Sequence, residues 1–301
     1  MIVLSESTEQ LEASASASEN KLMTEAAQIV GCKVYYIPRD FERCSTAENA
    51  LWHIPKYDKQ TAGIWIGYIP ELQRYEAIYQ AALAKGIKLL NTPLEHQTAL
   101  EFDLFYPYLK GLTPDSVVIT STDECIKAGK LLGFPVFVKG AVQSIKMQGW
   151  KSCIANNQEE LINLTEFLLK LKEHSRGRVI VRKLVKLRHQ RLAPNGFPMG
   201  REFRCFIYNQ QILKYGYYWD AKDDLRQLTK QEEKQVLRLA VLASEHLRVP
   251  YIAIDIGQLE SREWIVIEAA DAQFAGLCQI PPLELWNKLK NIQNLSTKKY
   301  L

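Results

Sequence analysis

The sequence lacks the patterns that mark zinc sites, dinucleotide loops and membrane spans. Its six cysteines form no CxxC pair, and its five histidines form no HxxxH or HxH pair. A structural zinc site and a Ser-His-Asp triad are therefore disfavoured. Neither GxGxxG nor the P-loop pattern occurs, which argues against the common phosphate-binding loops. No apolar run approaches the roughly 18 residues needed to cross a bilayer.

Composition places the chain among ordinary globular proteins. With 301 residues, 47% of them hydrophobic, the chain is long enough to bury sizeable cores, and we expect two or three units rather than one. The net charge of +4 is mild, which argues against nucleic acid as the main partner. Cysteines inside apolar runs fit a reducing compartment. We expect a cytoplasmic protein with no membrane partner, and association into a homo-oligomer is left open.

The first third of the chain alternates strand and helix patterns. Residues 33–37, 63–66 and 87–90 are short apolar runs typical of buried strands. Residues 71–85 have the pattern of a helix that ends at Gly86. Strands that alternate with helices predict an α/β unit with a parallel sheet.

Two apolar runs near the C-terminus each carry an acid. Asp255 lies in the run 251–257, and Glu268 lies in the run 263–271. The β-branched residues of both runs favour a half-buried sheet, where two carboxylates repel each other unless a cation neutralises them. One interpretation is a site for a hard divalent cation. The other is a salt bridge from each acid to a neighbouring lysine or arginine.

A lysine and a polar loop follow a predicted strand in the middle of the chain. Residues 134–140 form the apolar run, with Lys139 near its end. The next stretch contains Lys146 and leads into a second run at 150–155, as expected of a hairpin whose loop covers phosphates. Only Gly140 and Gly149 frame this loop, so the signal is weaker than that of a P-loop.

Two further strand-like runs, 178–188 and 201–208, are rich in arginine. In the second run, alternation places Glu202, Arg204 and Phe206 on one face. One interpretation is a solvated face with a Glu202–Arg204 ion pair. The other is a polyphosphate site, because guanidinium groups bind phosphate oxygens in pairs. For this second case we expect Arg204→Lys to keep the thermal stability of the protein and to impair turnover of the bound polyphosphate.

In this order the motifs resemble the ATP-grasp superfamily, the ligases that hold ATP between two α+β subdomains. The resemblance covers roughly residues 112–285 and is strongest with the clade named for its two arginines and a lysine. The matched segments are Gly-Phe-Pro-Val-Phe-Val-Lys139, Val179-Ile-Val-Arg-Lys-Leu184, Arg201-Glu-Phe-Arg204, Ala253-Ile-Asp255 and Trp264-Ile-Val-Ile-Glu268.

The resemblance implies a fold and a set of residue roles. It implies a Rossmann-like N-terminal domain at 1–110 and ATP-grasp subdomains at 111–182 and 183–301. Arg204 would reach the transferred phosphate. The nucleotide would contact Lys139, Lys146, Ile180, Arg182, Lys183, Leu184 and Glu202, and magnesium would bind Asp255, Glu268 and Asp271.

The sequence departs from this family at two places. Many members have Asn two residues after the metal-binding Glu, whereas this chain has Ala270 and then Asp271. Asp271 is the candidate substitute ligand, and without it a second metal would be poorly held. Many members also carry an acid in the hinge for the ribose hydroxyls. In this chain the corresponding segment after the strand 179–184 offers the cations Arg182, Lys183 and Lys186 instead. The residue that contacts the ribose is therefore unassigned.

The resemblance implies an ATP- and Mg²⁺-dependent ligase that joins a small-molecule carboxylate to an amine through an acylphosphate. Two alternatives come from other classes. The Ala270 departure favours a non-catalytic ATP-binding module, and the basic band at 176–191 favours a nucleic-acid binder. The sequence does not identify the carboxylate or the amine.

Overall fold

The computed structural model describes residues 1–6, 14–39, 44–219 and 222–292. Within these ranges the chain forms three four-stranded sheets, a two-stranded ribbon and ten α-helices. No helix among the described residues is long and apolar enough to cross a membrane.

The first sheet is parallel, as the alternating pattern predicted. Its strand order is β2-β1-β3-β4, and every described pairing in it is parallel. The helix α3 ends before Gly86, whose φ is +79°, and a side chain there would meet the Tyr57 carbonyl oxygen at 2.4 Å. The elements are β1 Ile2–Ser5, α1 Ala15–Ile29, β2 Lys33–Tyr36, α2 Ala47–Ala50, β3 Thr61–Ile66, α3 Leu72–Ala84 and β4 Ile87–Leu89.

Two short helices connect this unit to the second sheet. They are α4, Pro93–Leu100, and α5, Phe102–Leu109. Thr92 and Glu95 form a capping box at the start of α4, which satisfies backbone donors that the helix leaves free. Phe102 and Phe105 of α5 are buried in the main core.

The second sheet is antiparallel in its described pairings, with the order β5-β8-β6-β7. The predicted hairpin after Lys139 forms only in part. Of the predicted second run, 150–155, only Ile154–Ala155 pairs with β6. The residues before them make two 3-10 turns around Gly149, whose φ is +103°. The elements are β5 Ser116–Ile119, α6 Cys125–Leu132, β6 Val136–Gly140, β7 Ile154–Ala155, α7 Gln158–Lys170, α8 Lys172–Ser175 and β8 Val179–Lys183.

A ribbon and the third sheet complete the described chain. The third sheet is antiparallel with the order β12-β11-β13-β14. A turn at Asn209 and Gln210 joins β11 to β12, and both residues have positive φ. The elements are β9 His189–Leu192, β10 Pro198–Gly200, β11 Glu202–Tyr208, β12 Gln211–Tyr217, α9 Lys230–Leu247, β13 Tyr251–Gln258, β14 Trp264–Asp271 and α10 Pro282–Lys290.

One face of β11 packs against α9 and the other carries Glu202, Arg204 and the buried Phe206, as the alternation predicted. Phe203, Cys205 and Ile207 share a core cluster with Val236 and Ala240 of α9. The opposite face therefore directs Glu202 and Arg204 away from α9. The register places Arg204 opposite Asp255 and places Asp255 opposite Glu268. One row across three strands thus carries a cation and two acids.

Candidate functional site

A cavity of about 410 Å³ lies between the second and third sheets. We call it the hinge cavity, because the segment 183–187, which leaves β8, forms part of its wall. Seven residues predicted from sequence line it: Lys139, Lys146, Arg182, Lys183, Leu184, Glu202 and Glu268. Residues separated by up to 129 positions in the chain therefore meet at one site.

Ile180 does not line this cavity. Its side chain is fully buried in the main core cluster, which also contains Phe102 and Ala141. Ile180 and Arg182 share a face of β8, but only Arg182 reaches the cavity wall. The assignment of Ile180 to the adenine pocket does not fit this placement, because the core encloses the side chain.

Lys139 and Glu268 form an ion pair across the cavity. Lys139 lies on β6 and Glu268 lies on β14, so the pair joins the second sheet to the third. The lysine side chain is 5% exposed and the glutamate side chain is 31% exposed. Burial by itself would raise the pKa of Glu268, but Lys139, Lys146 and Arg182 together outweigh it and lower that pKa below its ordinary value. The glutamate therefore stays ionised, with part of its surface toward the cavity.

Lys146 is held by two aromatic residues. Its Nζ donates a hydrogen bond of 2.7 Å to the Tyr218 hydroxyl and lies 5.3 Å from the centre of a Trp219 ring. Burial disfavours the charged ammonium, but the tyrosine hydroxyl, Glu202 and Glu268 together raise the pKa of Lys146. Lys146 therefore remains a cation within reach of an anionic ligand.

Arg182 is a buried cation that holds the backbone of β14. Its Nη1 donates to the Ile267 carbonyl at 2.7 Å, its Nη2 contacts the Thr113 hydroxyl, and its Nε has no hydrogen-bond partner among the described atoms. Burial lowers the pKa of Arg182 to about 10. Ile267 lies where the β13–β14 register shifts, next to Glu268. Arg182 thus satisfies the irregular backbone that positions this acid.

Glu202 is a buried carboxylate at the cavity wall, with 6% of its surface exposed. Burial is the main cause that raises its pKa to about 7, and Asp255 and Glu268 add to the rise while Lys146 and Trp219 oppose it. The folded protein therefore holds this proton more tightly than the unfolded chain does.

This shift predicts a dependence of stability on pH. Because the folded-state pKa is about 7 against an ordinary value of 4.5, ionisation of Glu202 costs stability as pH rises between those values. We expect Glu202→Gln to gain about 3 kcal/mol over the wild type at pH 8, from roughly 1.4 kcal/mol per pKa unit. The two proteins should be equally stable near pH 4. Urea unfolding at both pH values, without ligand, measures the difference, and a gap that does not change with pH would contradict the shifted pKa.

Arg204 is not free to act as a phosphate ligand in this structure. Its Nε and Nη2 donate to the two carboxylate oxygens of Asp255 at 2.8 and 2.7 Å. Its Nη1 donates to the Gly276 carbonyl at 3.0 Å. Glu202 shares its strand face, but Arg204 pairs across strands with Asp255. The suggested Glu202–Arg204 ion pair does not form, because Asp255 lies directly opposite Arg204.

Asp271 belongs to a different network. It accepts hydrogen bonds from Asn91 at 2.9 Å and from the Gln273 backbone at 2.9 Å, and it pairs with His96 at 2.8 Å. Glu268 and Asp271 are three positions apart on one strand, so their side chains point to opposite faces. The structure therefore does not bring Asp271 beside Glu268, as a metal site shared by the two acids would require.

The donor set around Glu268 limits how a metal could be held. Among the described residues, no group of three or more His, Cys, Asp or Glu side chains is arranged to bind a metal ion. Arg204 occupies both oxygens of Asp255, and Ala270 has no ligand atom. Magnesium, however, is usually held by one or two carboxylates together with substrate phosphates. Glu268, partly exposed to the cavity, fits that mode.

A second cavity of about 1210 Å³ opens beside the first sheet. We call it the N-terminal cleft; its wall includes Tyr68–Arg74 of the first unit, the turn at 176–178 and residues 273–276. Because Gly276 lines the cleft and accepts a hydrogen bond from Arg204, the row of charged residues on the third sheet lies next to it.

The predicted basic band divides between the two cavities. Arg176 donates to Glu101 at 2.7 Å, and Arg178 pairs with Glu101 and with Asp103 at 2.8 Å. These arginines are neutralised at the cleft, while Arg182 and Lys183 line the hinge cavity. The band is therefore not one continuous cationic surface, and this arrangement gives the nucleic-acid interpretation no support.

Sequence reasoning missed two contributors to the site. Thr113 receives the Arg182 guanidinium and donates to the Val266 carbonyl at 2.8 Å. Glu260 lines the hinge cavity from the β13–β14 turn. Neither lies in a motif, and only tertiary contacts place them there.

Comparisons with known proteins identify a family. A family model described as an ATP-grasp domain, the third family of its clade, matches residues 128–289, which is more than half of the chain. A comparison with curated proteins finds no matching sequence.

Solved structures share the fold across nearly the whole chain. D-alanine–D-alanine ligase from Bacillus anthracis, complexed with ATP, has a TM-score of 0.67 at 14% identity, over 100% of this chain and 99% of that one. The RimK domain ATP-grasp protein from Sphaerobacter thermophilus has a TM-score of 0.62 at 11% identity, over 96% and 98%. The ATP-grasp ligase PsnB, complexed with its minimal precursor, Mg and ADP, has a TM-score of 0.59 at 12% identity, over 97% and 98%. At these identities the likeness establishes the ATP-grasp fold.

Proposed function

Because the chain belongs to the ATP-grasp superfamily, as its match over residues 128–289 shows, we propose that it is an ATP- and magnesium-dependent ligase. The observation that carries this proposal is the charge of the hinge cavity. Five cationic side chains line it, Lys139, Lys146, Arg182, Lys183 and Lys186, against three carboxylates, Glu202, Glu260 and Glu268. An excess of cations around one cavity favours a polyanionic ligand. Within the superfamily, we place the chain in the clade named for two arginines and a lysine.

In this proposal the triphosphate occupies the end of the cavity near Lys139 and Lys146, and the base lies against the hinge segment 183–187. Magnesium, when bound, would neutralise charge on the phosphates during transfer. Glu268 would hold it, and Asp255 could join once Arg204 turns from that acid toward the transferred phosphate. Lys139 would likewise exchange Glu268 for phosphate oxygens.

The reaction we propose joins a carboxylate to an amine. A substrate carboxylate oxygen attacks the γ-phosphorus and releases ADP, which gives an acylphosphate. The amine nitrogen then attacks the acyl carbon and displaces phosphate, and the nitrogen loses a proton. The N-terminal cleft, adjacent to Arg204 through Gly276, is the place for these two substrates. The chain's own contribution is positioning and charge stabilisation.

The test has a binding stage and a turnover stage. Calorimetric titration with ATP, with magnesium or with chelator, should show at least about tenfold tighter binding with the metal, equal to about 1.4 kcal/mol. A panel of carboxylates and amines is then screened for phosphate release and for a product whose mass equals their sum minus water. Equal affinity with and without magnesium would contradict the metal assignment.

A non-catalytic nucleotide-binding module is the second candidate. The observation that favours it is the sparse donor set: Ala270 offers no ligand, Asp271 lies in another network, and Arg204 occupies Asp255. Tight binding of Mg·ATP with no phosphate release for any substrate pair would support this candidate over the ligase.

Lys139→Ala should weaken nucleotide binding. Lys139 would contact phosphates already present in the ground state, so its loss falls mainly on affinity rather than on the rate of transfer. We expect roughly a tenfold rise in the Kd for ATP, since hydrogen bonds to charged groups contribute about 1.5–3 kcal/mol. Lys151→Ala is the control, because Lys151 is exposed and does not line the cavity. Equal Kd values for the two variants, measured by calorimetry, would remove Lys139 from the site.

A further inference from the structure

The hinge segment has no acid that could bind a sugar. Residues 183–187 are Lys-Leu-Val-Lys-Leu, so their side chains are cationic or apolar. A ribose presents two adjacent hydroxyl donors, and a carboxylate, with two acceptor oxygens, is well suited to both. A nucleotide in the hinge cavity would therefore need an acceptor from elsewhere in the fold.

The turn between β13 and β14 brings an acid to the hinge. The Arg188 amide donates to the Gln258 carbonyl at 2.8 Å, Leu187 bridges Leu259, and the Glu260 amide donates to the Lys186 carbonyl at 3.0 Å. These backbone contacts hold the turn against the hinge. Glu260 thereby becomes part of the cavity wall.

The turn itself is well determined by hydrogen bonds. The Leu259 amide donates to the Glu263 carbonyl at 2.8 Å, and the Arg262 amide donates to the Leu259 carbonyl at 2.9 Å. The Gln258 side chain also donates to the Arg262 carbonyl at 3.1 Å. Glu260 is therefore presented from a fixed backbone, which limits the entropy lost when a ligand binds.

The carboxylate of Glu260 is available to a ligand. Within the part of the chain that the structure describes, it has no hydrogen-bond or ion-pair partner, and the residue is exposed. By contrast, Glu263 of the same turn accepts a hydrogen bond from Ser261 at 3.1 Å and does not line the cavity. The two acids form a natural pair of test and control.

The position of Glu260 along the cavity indicates which part of a nucleotide it meets. In the proposed binding mode the phosphates lie near Lys139 and Glu268, and the base lies against the hinge segment. Glu260 lines the cavity where its turn contacts Lys186, beside the segment that would hold the base, where the sugar attached to that base would lie. We propose that Glu260 binds the ribose hydroxyls and makes the site selective for ribonucleotides. This inference rests on the proposed ATP-binding function.

The experiment compares ATP with 2′-deoxyATP, both with magnesium, by calorimetric titration of the full chain. The wild type should bind ATP about tenfold more tightly than 2′-deoxyATP, as expected for one hydrogen bond to a charged group. Glu260→Ala should weaken binding of 2′-deoxyATP, which keeps the 3′-hydroxyl, by about tenfold and should weaken ATP by about tenfold more, so that the two affinities become equal within about twofold. Glu263→Ala should keep the wild-type ratio.

The remaining outcomes overturn the proposal. If Glu260→Ala weakens both nucleotides equally, Glu260 acts through charge or through the base rather than the sugar. If the wild type binds both nucleotides equally, or if Glu260→Ala keeps the wild-type ratio of affinities, Glu260 does not bind the ribose hydroxyls. Either result leaves the proposed binding of ATP intact. If the wild type binds neither nucleotide, the proposed function fails together with this inference.

Discussion

Replacing Glu268 by glutamine is expected to reduce ligase turnover by about a hundredfold while ATP binding remains measurable. Glu268 is one of the three acids that line the hinge cavity, and it follows Ile267 in β14 with 31% of its side chain exposed. Charge neutralisation by the metal would matter most during phosphoryl transfer. A loss of this order is typical when one stabilising group for developing charge is removed. The measurement is kcat with the substrate pair found by screening, beside the Kd for Mg·ATP.

A structural effect of this substitution has to be separated from a catalytic one. Glu268→Gln leaves Lys139 buried without its ion-pair partner, which costs stability. Thermal unfolding of the same preparation, with and without Mg·ATP, shows whether the variant is folded in the assay. A folded variant with full turnover would refute the role of Glu268, whereas loss of activity that follows unfolding would make its role structural.

Asp255→Asn is expected to have the largest effect on stability, about 3–5 kcal/mol less free energy of unfolding, because removal of one partner leaves the other charge buried and uncompensated. The Arg204 guanidinium and the Asp255 carboxylate are joined by two hydrogen bonds of 2.8 and 2.7 Å. The two residues are only 8% and 3% exposed. Urea unfolding, followed by tryptophan fluorescence, measures the loss.

An exposed ion pair on α7 provides the matched control. Glu166 pairs with Lys170 at 2.8 Å, with both side chains more than half exposed, so Glu166→Gln should change stability by less than about 1 kcal/mol. The double variant Arg204→Met with Asp255→Leu should recover much of the loss, because neither charge then remains buried. Similar losses for Asp255→Asn and Glu166→Gln would show that the Arg204–Asp255 pair contributes little.

The same pair changes the expectation for Arg204→Lys. The sequence alone predicted unchanged thermal stability, because Arg204 was treated as a residue that serves the phosphate. In the structure the Nε and Nη2 atoms of Arg204 each donate a hydrogen bond to the Asp255 carboxylate. A lysine ammonium cannot reproduce these two parallel hydrogen bonds. We therefore expect Arg204→Lys to lower thermal stability as well as turnover.

The sequence is compatible with two interpretations of Asp255 and Glu268, a metal site or salt bridges. The structure shows a salt bridge at each acid, Asp255 with Arg204 and Glu268 with Lys139. The two acids nevertheless differ. Asp255 is enclosed with both oxygens in use, whereas Glu268 borders a cavity rich in cations. Of these two acids, therefore, only Glu268 has a carboxylate that a metal ion in the hinge cavity could contact in this conformation.

Local sequence was sufficient for most elements of the fold. The parallel first sheet and the alternation along β11 follow from periodicity, and the end of α3 before Gly86 follows from the glycine there. These features depend on neighbours within a few positions in the chain. The order of the motifs was enough to predict that Lys139, Lys146, Glu202 and Glu268 share one site, and all four line the hinge cavity. The same motifs indicated the ATP-grasp superfamily, which the family match shows.

Partners and surroundings were decided only by tertiary structure. Strand register determines that Arg204 meets Asp255 rather than Glu202, and contacts with Asn91 and His96 draw Asp271 into a separate network. Packing enclosed Ile180 in the core, and the β13–β14 turn brought Glu260 to a hinge that lies far earlier in the chain. None of these outcomes has a local signal, because hydrogen-bond partners and solvent exposure depend on residues that are distant in sequence. The sequence by itself therefore determined which kinds of groups the site contains, and the tertiary structure decided which of them remain available to a ligand.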